Sequence, residues 1–364
     1  MYNPTRLTVA RKRNGLTMTA LADKIGMSPR SISQYESGGQ QPPADVLDRI
    51  VEVLGFPTAF FAGDDLDMPR VGSVSFRALS KMSAIERDRA LSQGALALKL
   101  NTWIEQRFDL PMTDLPDLSQ ETDPEAAATS LRQQWGLGEA PIRNMIHLLE
   151  AKGVRVYSLA VDSLNVDAFS MWYNQTPMIF LNLQKSAERS RYDAAHELGH
   201  LVLHRHALKE DTRSAEDDAN RFASSLLMPR AGTIARSVRF VTVQHLIAHK
   251  KFWMVSVAAL NHRLHELGIM NPWQYRHLSA EISRRGYRTD EPNPARRESS
   301  QLLSKVLNEL RDDDLSQQDI AVSLDFPRSE VEKLLFGLAM TSIAGGRRGK
   351  DPRSGSSADL KLVQ

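Results

Sequence analysis

Between residues 4 and 62 the apolar positions recur at three- and four-residue spacings in short runs, each closed by a small turn-forming residue. That pattern predicts four helices. PTRLTVARKRN stops at Gly15, and Thr17 can cap MTALADKI, which stops at Gly26. Ser28 can cap PRSISQYE, with Pro29 at the first helical position, where its missing N–H costs nothing. PADVLDRIVEVL closes at Gly55. The periodicity then lapses over GDDLDMPRVG, residues 63–72, which reads as a linker. A long helical stretch is predicted from about 83 to 108, a Pro/Asp-rich loop from 110 to 124, and helices near 125–135 and 141–152. VRVYSLA, AFSMWY and MIFLNL have the β-branched and aromatic content of strands, with Asn174-Gln175 as a hairpin turn between the last two. Helices are expected again at about 189–205 and 215–227, then through most of the chain to 340. The predicted class is mainly α with one small β-sheet (α+β), and no internal repeat is read. The boundaries that follow are 1–62, a linker at 63–72, a central domain at 73–235 with a helical lead-in at 73–125, a helical region at 236–343, and a Gly/Ser/Arg-rich, disordered tail at 344–364.

Two short helices joined by a tight glycine-containing turn are the core of a helix-turn-helix. Leu21, Ala22, Ile25 and Ile32 fall at spacings that bury them between the pair, leaving Arg30, Ser31, Ser33 and Gln34 to project outward. Arginine can fork onto guanine and glutamine onto adenine, while serine reaches bases or phosphates. Charge supports the reading locally. The whole chain is nearly neutral at +2, yet residues 1–36 carry six basic residues against Asp23 and Glu36.

The chain has no cysteine, which removes disulfides, thiolate metal sites and cysteine nucleophiles and fits a reducing compartment. No stretch approaches the ~18 apolar residues of a membrane span, and the start lacks a signal-peptide pattern, so a cytoplasmic location and no membrane partner are expected.

The stretch RYDAAHELGHLVLHRH, residues 191–206, raises different chemistry. His196 and His200, four apart on a helix, lie about 6 Å apart along its axis and can share one tetrahedral Zn²⁺. Glu197 then points beside the metal, where it can hold and deprotonate a water whose pKa the metal lowers to about 7. His204 would lie ~12 Å from His196 on a straight helix, so it is expected at the helix end or bracing a ligand. In SAEDDANRFASSLLMP, Glu216 and Asn220 stand one turn apart. Glu216 is the expected third ligand and Asn220 a brace, with Asp218 on another face. Zinc is the expected ion, with manganese as an alternative.

These motifs resemble two known families. Leu21-Ala22, Gly26-Met27-Ser28, Ile32-Ser33, Glu36 and Gly38 are similar, in register, to the XRE type of phage-repressor-like helix-turn-helix proteins. Met18 stands where that family usually has glutamine. His196 to His200, His204, Glu216, Ala219-Asn220, Phe222-Ala223 and Leu226 to Pro229 resemble the ImmA/IrrE metallo-endopeptidases, and the likeness extends upstream through SFRALSKMS, RFDLP and EAKGVRV, covering roughly 75–230 well and the rest loosely. That resemblance implies a zincin-like domain and cleavage of helix-turn-helix repressors in a stress or phage-induction response.

Two functions follow from the domain pair. One is a DNA-binding transcriptional regulator whose zinc endopeptidase domain hydrolyses a repressor-type protein, in trans or in its own chain, the 63–72 linker being a natural site. The other is a non-proteolytic transcription factor whose metal-binding domain senses a ligand or metal. Either would act at a double-stranded DNA operator, and a two-fold operator would call for a homodimer. An extended substrate is expected to pair with MIFLNL as an edge strand. His245, His262, His265, Tyr275 and His277 are all open as oxyanion donors, and Trp253 and Trp273 are expected in the core. Residues 315–337 echo a helix-turn-helix in length, but Glu330 and Glu332 in the second helix favour packing over DNA contact.

Overall fold

The computed structural model describes residues 2–69, 82–159, 168–206 and 212–339. Part of the linker, the start of the helical lead-in with most of SFRALSKMS, and the tail at 344–364 lie outside the described residues.

The first bundle comprises α1 (Pro4–Arg13), α2 (Met18–Ile25), α3 (Pro29–Ser37), α4 (Ala44–Leu54) and a 3-10 turn (Thr58–Ala62). Its punctuation follows the sequence. Thr17 and Ser28 accept from Ala20 N and Ser31 N at the starts of α2 and α3, and Gly26, Gly38 and Gly55 end α2, α3 and α4 in the left-handed region. Leu7, Leu21, Ala22, Ile32 and Ile50 are fully buried between these helices.

The basic residues of this segment are mostly spent internally. Arg11 grips Glu36 with two bonds of 2.5 and 2.8 Å, and Arg6 donates to Asp64 O while lying over Phe60. Arg13 pairs with Glu330 at 2.7 Å and Lys12 with Asp88 at 3.2 Å. Only Lys24 and Arg30 remain exposed, so the phosphate-facing patch anticipated from the net charge is far smaller than the count suggests.

The middle of the chain supplies α5 (Ala84–Glu105), α6 (Pro124–Gln134), α7 (Met145–Ala151), β1 (Arg155–Ser158), β2 (Phe169–Tyr173), β3 (Thr176–Leu181), α8 (Ala187–Leu203) and α9 (Thr212–Leu227). The strand order is β1-β3-β2, with β1 parallel and β2 antiparallel to β3. Asn174 and Gln175 both have positive φ, 46° and 68°, the form that a two-residue hairpin requires. MIFLNL is therefore the centre of the sheet, not its edge. Its residues Met178, Ile179 and Phe180 are fully buried, as suits a strand covered on both sides. Helix α8 packs on β2, β3, α7 and α9.

The remainder forms α10 (Arg230–Ala235), α11 (Val243–Trp253), α12 (Val257–Glu266), α13 (Pro272–Arg284), α14 (Gln301–Asp312), α15 (Gln317–Leu324) and α16 (Arg328–Ala339). Trp253 is in the core at 1% exposed, but Trp273 is 68% exposed and stacks on His277, so only one of the two tryptophans is a core residue.

Helices α14–α16 repeat α1–α3 at one constant offset, which corrects the expectation of no internal repeat. Gly15 and Asp314 take φ of 68° and 59°, and Gly26 and Asp325 take 67° and 57°. Thr17 and Ser316 cap α2 and α15. Leu16 N bonds Arg11 O, as Leu315 N bonds Leu310 O; Met27 N bonds Ala22 O, as Phe326 N bonds Ala321 O. Leu21/Ile320, Ala22/Ala321, Ile25/Leu324, Ile32/Val331 and Tyr35/Leu334 are buried pairs at matching places. Aspartate in place of glycine hides the turns from a sequence reading, because aspartate is among the few residues that also tolerate left-handed backbone. Helix α16 is packed against β1 and α14 rather than presented, with Glu330 held by Arg13 of the first bundle and by Lys333.

Candidate metal centre and nucleic-acid face

Helix α8 is capped by Ser186 and buries Ala194, Ala195, Leu198, Leu201 and Val202, which fixes the rotation of the helix. Gly199 explains how closely α9 approaches: a Cβ there would stand 3.0 Å from Phe222 Cδ1 and 3.3 Å from Ala219 Cα. Those two contacts bring Glu216, three residues before Ala219, over the histidines. His196 Nε2 and His200 Nε2 lie 3.1 Å apart, with Glu216 oxygens at 3.6 and 3.3 Å from them. Ligand atoms of the three residues all fall within 4.8 Å of one another, the one such cluster among the described residues. Asp218 is not part of it.

The outer nitrogens of both imidazoles are also engaged. His196 Nδ1 is 3.1 Å from Asn220 Oδ1, so it carries the proton and leaves the Nε2 lone pair facing the cluster. His200 Nδ1 is 3.1 Å from His204 Nδ1, and His204 is the C-cap of α8. Burial holds His204 below the usual imidazole range, which makes it a neutral acceptor for that proton. Burial likewise pushes His200 down to about 4. At His196 burial acts downward too, but the adjacent Glu216 carboxylate and the charges of Glu197 and Asp193 outweigh it and raise the value. Burial would raise Glu216, yet the two imidazoles beside it hold it well below the carboxylate range, so it stays anionic.

Glu197 is 3% exposed, and its Oε2 accepts a 2.7 Å bond from Ser170 Oγ on β2. Sequence reasoning missed Ser170; one serine in an alternating strand carries no signal of its own. Among the described residues β2 has no strand partner on its outer side, so the sheet edge beside the cluster is β2 and not MIFLNL. The open set of oxyanion donors is engaged elsewhere: His245 with Thr242, His262 with Glu266, His265 and Tyr275 stacked together, and His277 on Trp273. His206 pairs with Asp117 at 2.7 Å.

Two imidazole nitrogens with lone pairs aimed inward and a carboxylate anion match the three-ligand donor set of a catalytic zinc site. The residues fit the ion. In the first bundle, Arg30, Ser33 and Gln34 of α3 are exposed, while Ser31 is partly covered and bonds Ser28 Oγ at 2.9 Å. Met18 is 37% exposed at the start of α2.

Fold and cluster together define a metallopeptidase-like domain joined to a DNA-binding bundle. Residues 149–265 match the family Peptidase_M78, described as the IrrE N-terminal-like domain, and residues 9–61 match a helix-turn-helix family. The chain thus joins a segment that matches a helix-turn-helix family to one that matches the IrrE N-terminal-like family. The peptidase-family match begins within α7 and runs through most of α12, past residue 235. A Yarrowia lipolytica protein provisionally named multi-protein-binding factor 1 is 39% identical over 59 residues, 16% of this chain and 37% of that one. The chain therefore spans little more than a third of that relative's length. Among the described residues no helix is long and apolar enough to cross a membrane.

Proposed function

We propose that the protein is a DNA-binding transcriptional regulator whose central domain hydrolyses a peptide bond in a repressor-type protein, or in its own chain, during a stress or phage-induction response. One observation carries this reading: Glu197, which ligates nothing in the cluster, is fastened by Ser170 next to three converging ligand atoms. A purely structural metal site has no use for that acid.

His196, His200 and Glu216 would hold Zn²⁺, which when bound supplies Lewis acidity towards a carbonyl and towards water. Asn220 and His204 keep the imidazoles in the tautomer that leaves Nε2 free. Glu197 takes the proton of the attacking water on a carboxylate oxygen and returns it to the leaving amine. Ser170 fixes the rotamer of Glu197 and shares its charge. An extended substrate would add to the outer side of β2, which carries Ser170 and so delivers the scissile bond beside Glu197. The boundaries 1–62, 63–72 and 73–235 serve as working domains, with Arg30, Ser33 and Gln34 reading base edges and Ser31 a phosphate.

New protein amino termini, mapped by mass spectrometry in cells expressing the wild type or Glu197→Gln, test the proposal. Termini that depend on Glu197, within helix-turn-helix proteins or in this chain, are expected. Identical termini in both would reject proteolysis. The second reading, a regulator that senses a ligand without cutting, is favoured by a separate observation, a charged cavity at the opposite end of α8.

A further inference from the structure

At the amino-terminal end of α8 lies a cavity of about 1030 Å³, bounded by α8, the end of α11 and the loops before α7 and α14. Six cations line it: Arg143, Arg191, Lys250, Lys251, Arg296 and Arg297. Only two carboxylates, Glu188 and Glu298, lie among them. In a chain whose net charge is +2, an excess of four positive charges in one concavity is a local concentration.

The two carboxylates are already committed. Glu188 Oε1 accepts from Lys250 Nζ at 2.7 Å and Ala295 N at 2.8 Å. Lys250 also meets Glu291 at 3.1 Å. Glu298 accepts Met145 N at 2.8 Å and Ile146 N at 3.2 Å, capping α7, and pairs with Arg191. These contacts neutralise the floor and leave Arg143, Lys251 and Arg296 exposed at the rim, with no carboxylate partner among the described residues.

The floor is incompletely satisfied. Glu188 Oε2 and Arg191 Nε, in residues only 1% and 3% exposed, have no hydrogen-bond partner. Both atoms are closed to solvent, so a ligand in the cavity meets the rim cations and not this floor. The positive end of α8, a helix of 17 residues, adds to the field.

We propose that this cavity binds a small organic phosphate of nucleotide size. Phosphate oxygens meet Lys251, Arg143 and Arg296 at the rim. The volume is at the upper end of small-molecule sites, which run to ~1,000 Å³. Arg191 and His196 are five residues apart on α8, about 7.5 Å along its axis, so a bound phosphate would act on the helix that carries the metal ligands. The site does not depend on whether the centre hydrolyses peptides.

Isothermal titration calorimetry of the full chain with ADP, inorganic pyrophosphate and adenosine tests the assignment, with the metal content measured in parallel. ADP should bind at one equivalent, pyrophosphate more weakly and adenosine not at all. In Lys251→Glu/Arg296→Glu, a double variant of exposed residues, ADP affinity should fall by about tenfold or more. Its metal content and circular dichroism should not change. Saturable adenosine binding, absence of ADP binding, or equal affinity in the variant would each overturn the proposal. So would a matching loss of duplex DNA binding in the variant with ADP binding intact, since the cations would then serve the DNA backbone.

Discussion

Ser170 Oγ stands 2.7 Å from Glu197 Oε2, joining the edge strand of the sheet to the residue that follows His196, the first of the proposed metal ligands. Neither side chain ligates the cluster, and the bond fixes where the carboxylate can point. Ser170→Ala should therefore leave metal content unchanged and lower kcat by about tenfold, a fraction of the ~10²–10⁴-fold that a positioned general base contributes. Glu197→Gln should remove turnover entirely while retaining the ion. Equal kcat for wild type and Ser170→Ala on one cleavable protein would show that the bond is incidental.

The braces of the two imidazoles are separable from the ligands. Asn220→Ala and His204→Ala should each weaken zinc about 10- to 100-fold without abolishing it, as removal of such partners does. Competition with a calibrated chelator measures this. Unchanged affinity in both would mean that Nδ1 of each histidine needs no partner.

Much of this site was legible beforehand because its spacing is set by helix geometry. His196, Glu197, His200, Glu216, Asn220 and His204 all follow from turns of 3.6 residues and from Gly199 letting two helices touch. What escaped depended on contacts distant in the chain. Ser170 meets Glu197 only through the packing of β2 on α8. Central or edge position in a three-stranded sheet is decided by pairing, not by the apolar content of MIFLNL. The repeat of α1–α3 in α14–α16 escaped because it is conserved in shape, through caps and left-handed turns, while its glycines have become Asp314 and Asp325.

The charge count of the first 36 residues misled for a related reason: pairing spends charge. With Arg6, Arg11 and Arg13 internal, few phosphate contacts remain, so DNA binding should show a shallow salt dependence, and Lys24→Ala should reduce the slope of log K against log salt by about 1. Gln34→Ala and Arg30→Ala should each cost about 1–3 kcal/mol on the preferred sequence and relax its specificity. A slope typical of many phosphate contacts would mean that cations outside the bundle take part.

Arg13 and Glu330 join the first bundle to its repeat across nearly the whole chain, with side chains 4% and 6% exposed. Glu330→Ala takes the carboxylate away from a buried guanidinium and should destabilise by about 3–5 kcal/mol. Arg13→Met/Glu330→Leu should recover most of that loss, because replacing both charges by apolar groups removes the desolvation cost. Urea unfolding of the three proteins tests the pair. Equal midpoints for wild type and Glu330→Ala would show that the ion pair contributes nothing.

Glu150 gives a pH signature. Burial lifts its carboxyl to about 7 against the bonds it accepts from Ser300, Gln301 and Leu302 at the start of α14. A carboxyl raised in the folded state binds protons that the unfolded chain has released, so its contribution falls as pH rises from 4.5 to about 7 and is then fully lost. The span is at most about 3 kcal/mol. Glu150→Gln should flatten the stability profile over that window; an unchanged profile would place the titration elsewhere.

The most direct test of the account is metal stoichiometry by mass spectrometry of carefully prepared protein. One zinc per chain is expected in the wild type and in Glu197→Gln, and none in His196→Ala or Glu216→Ala. An empty wild-type protein that zinc cannot refill, or full occupancy in Glu216→Ala, would contradict it.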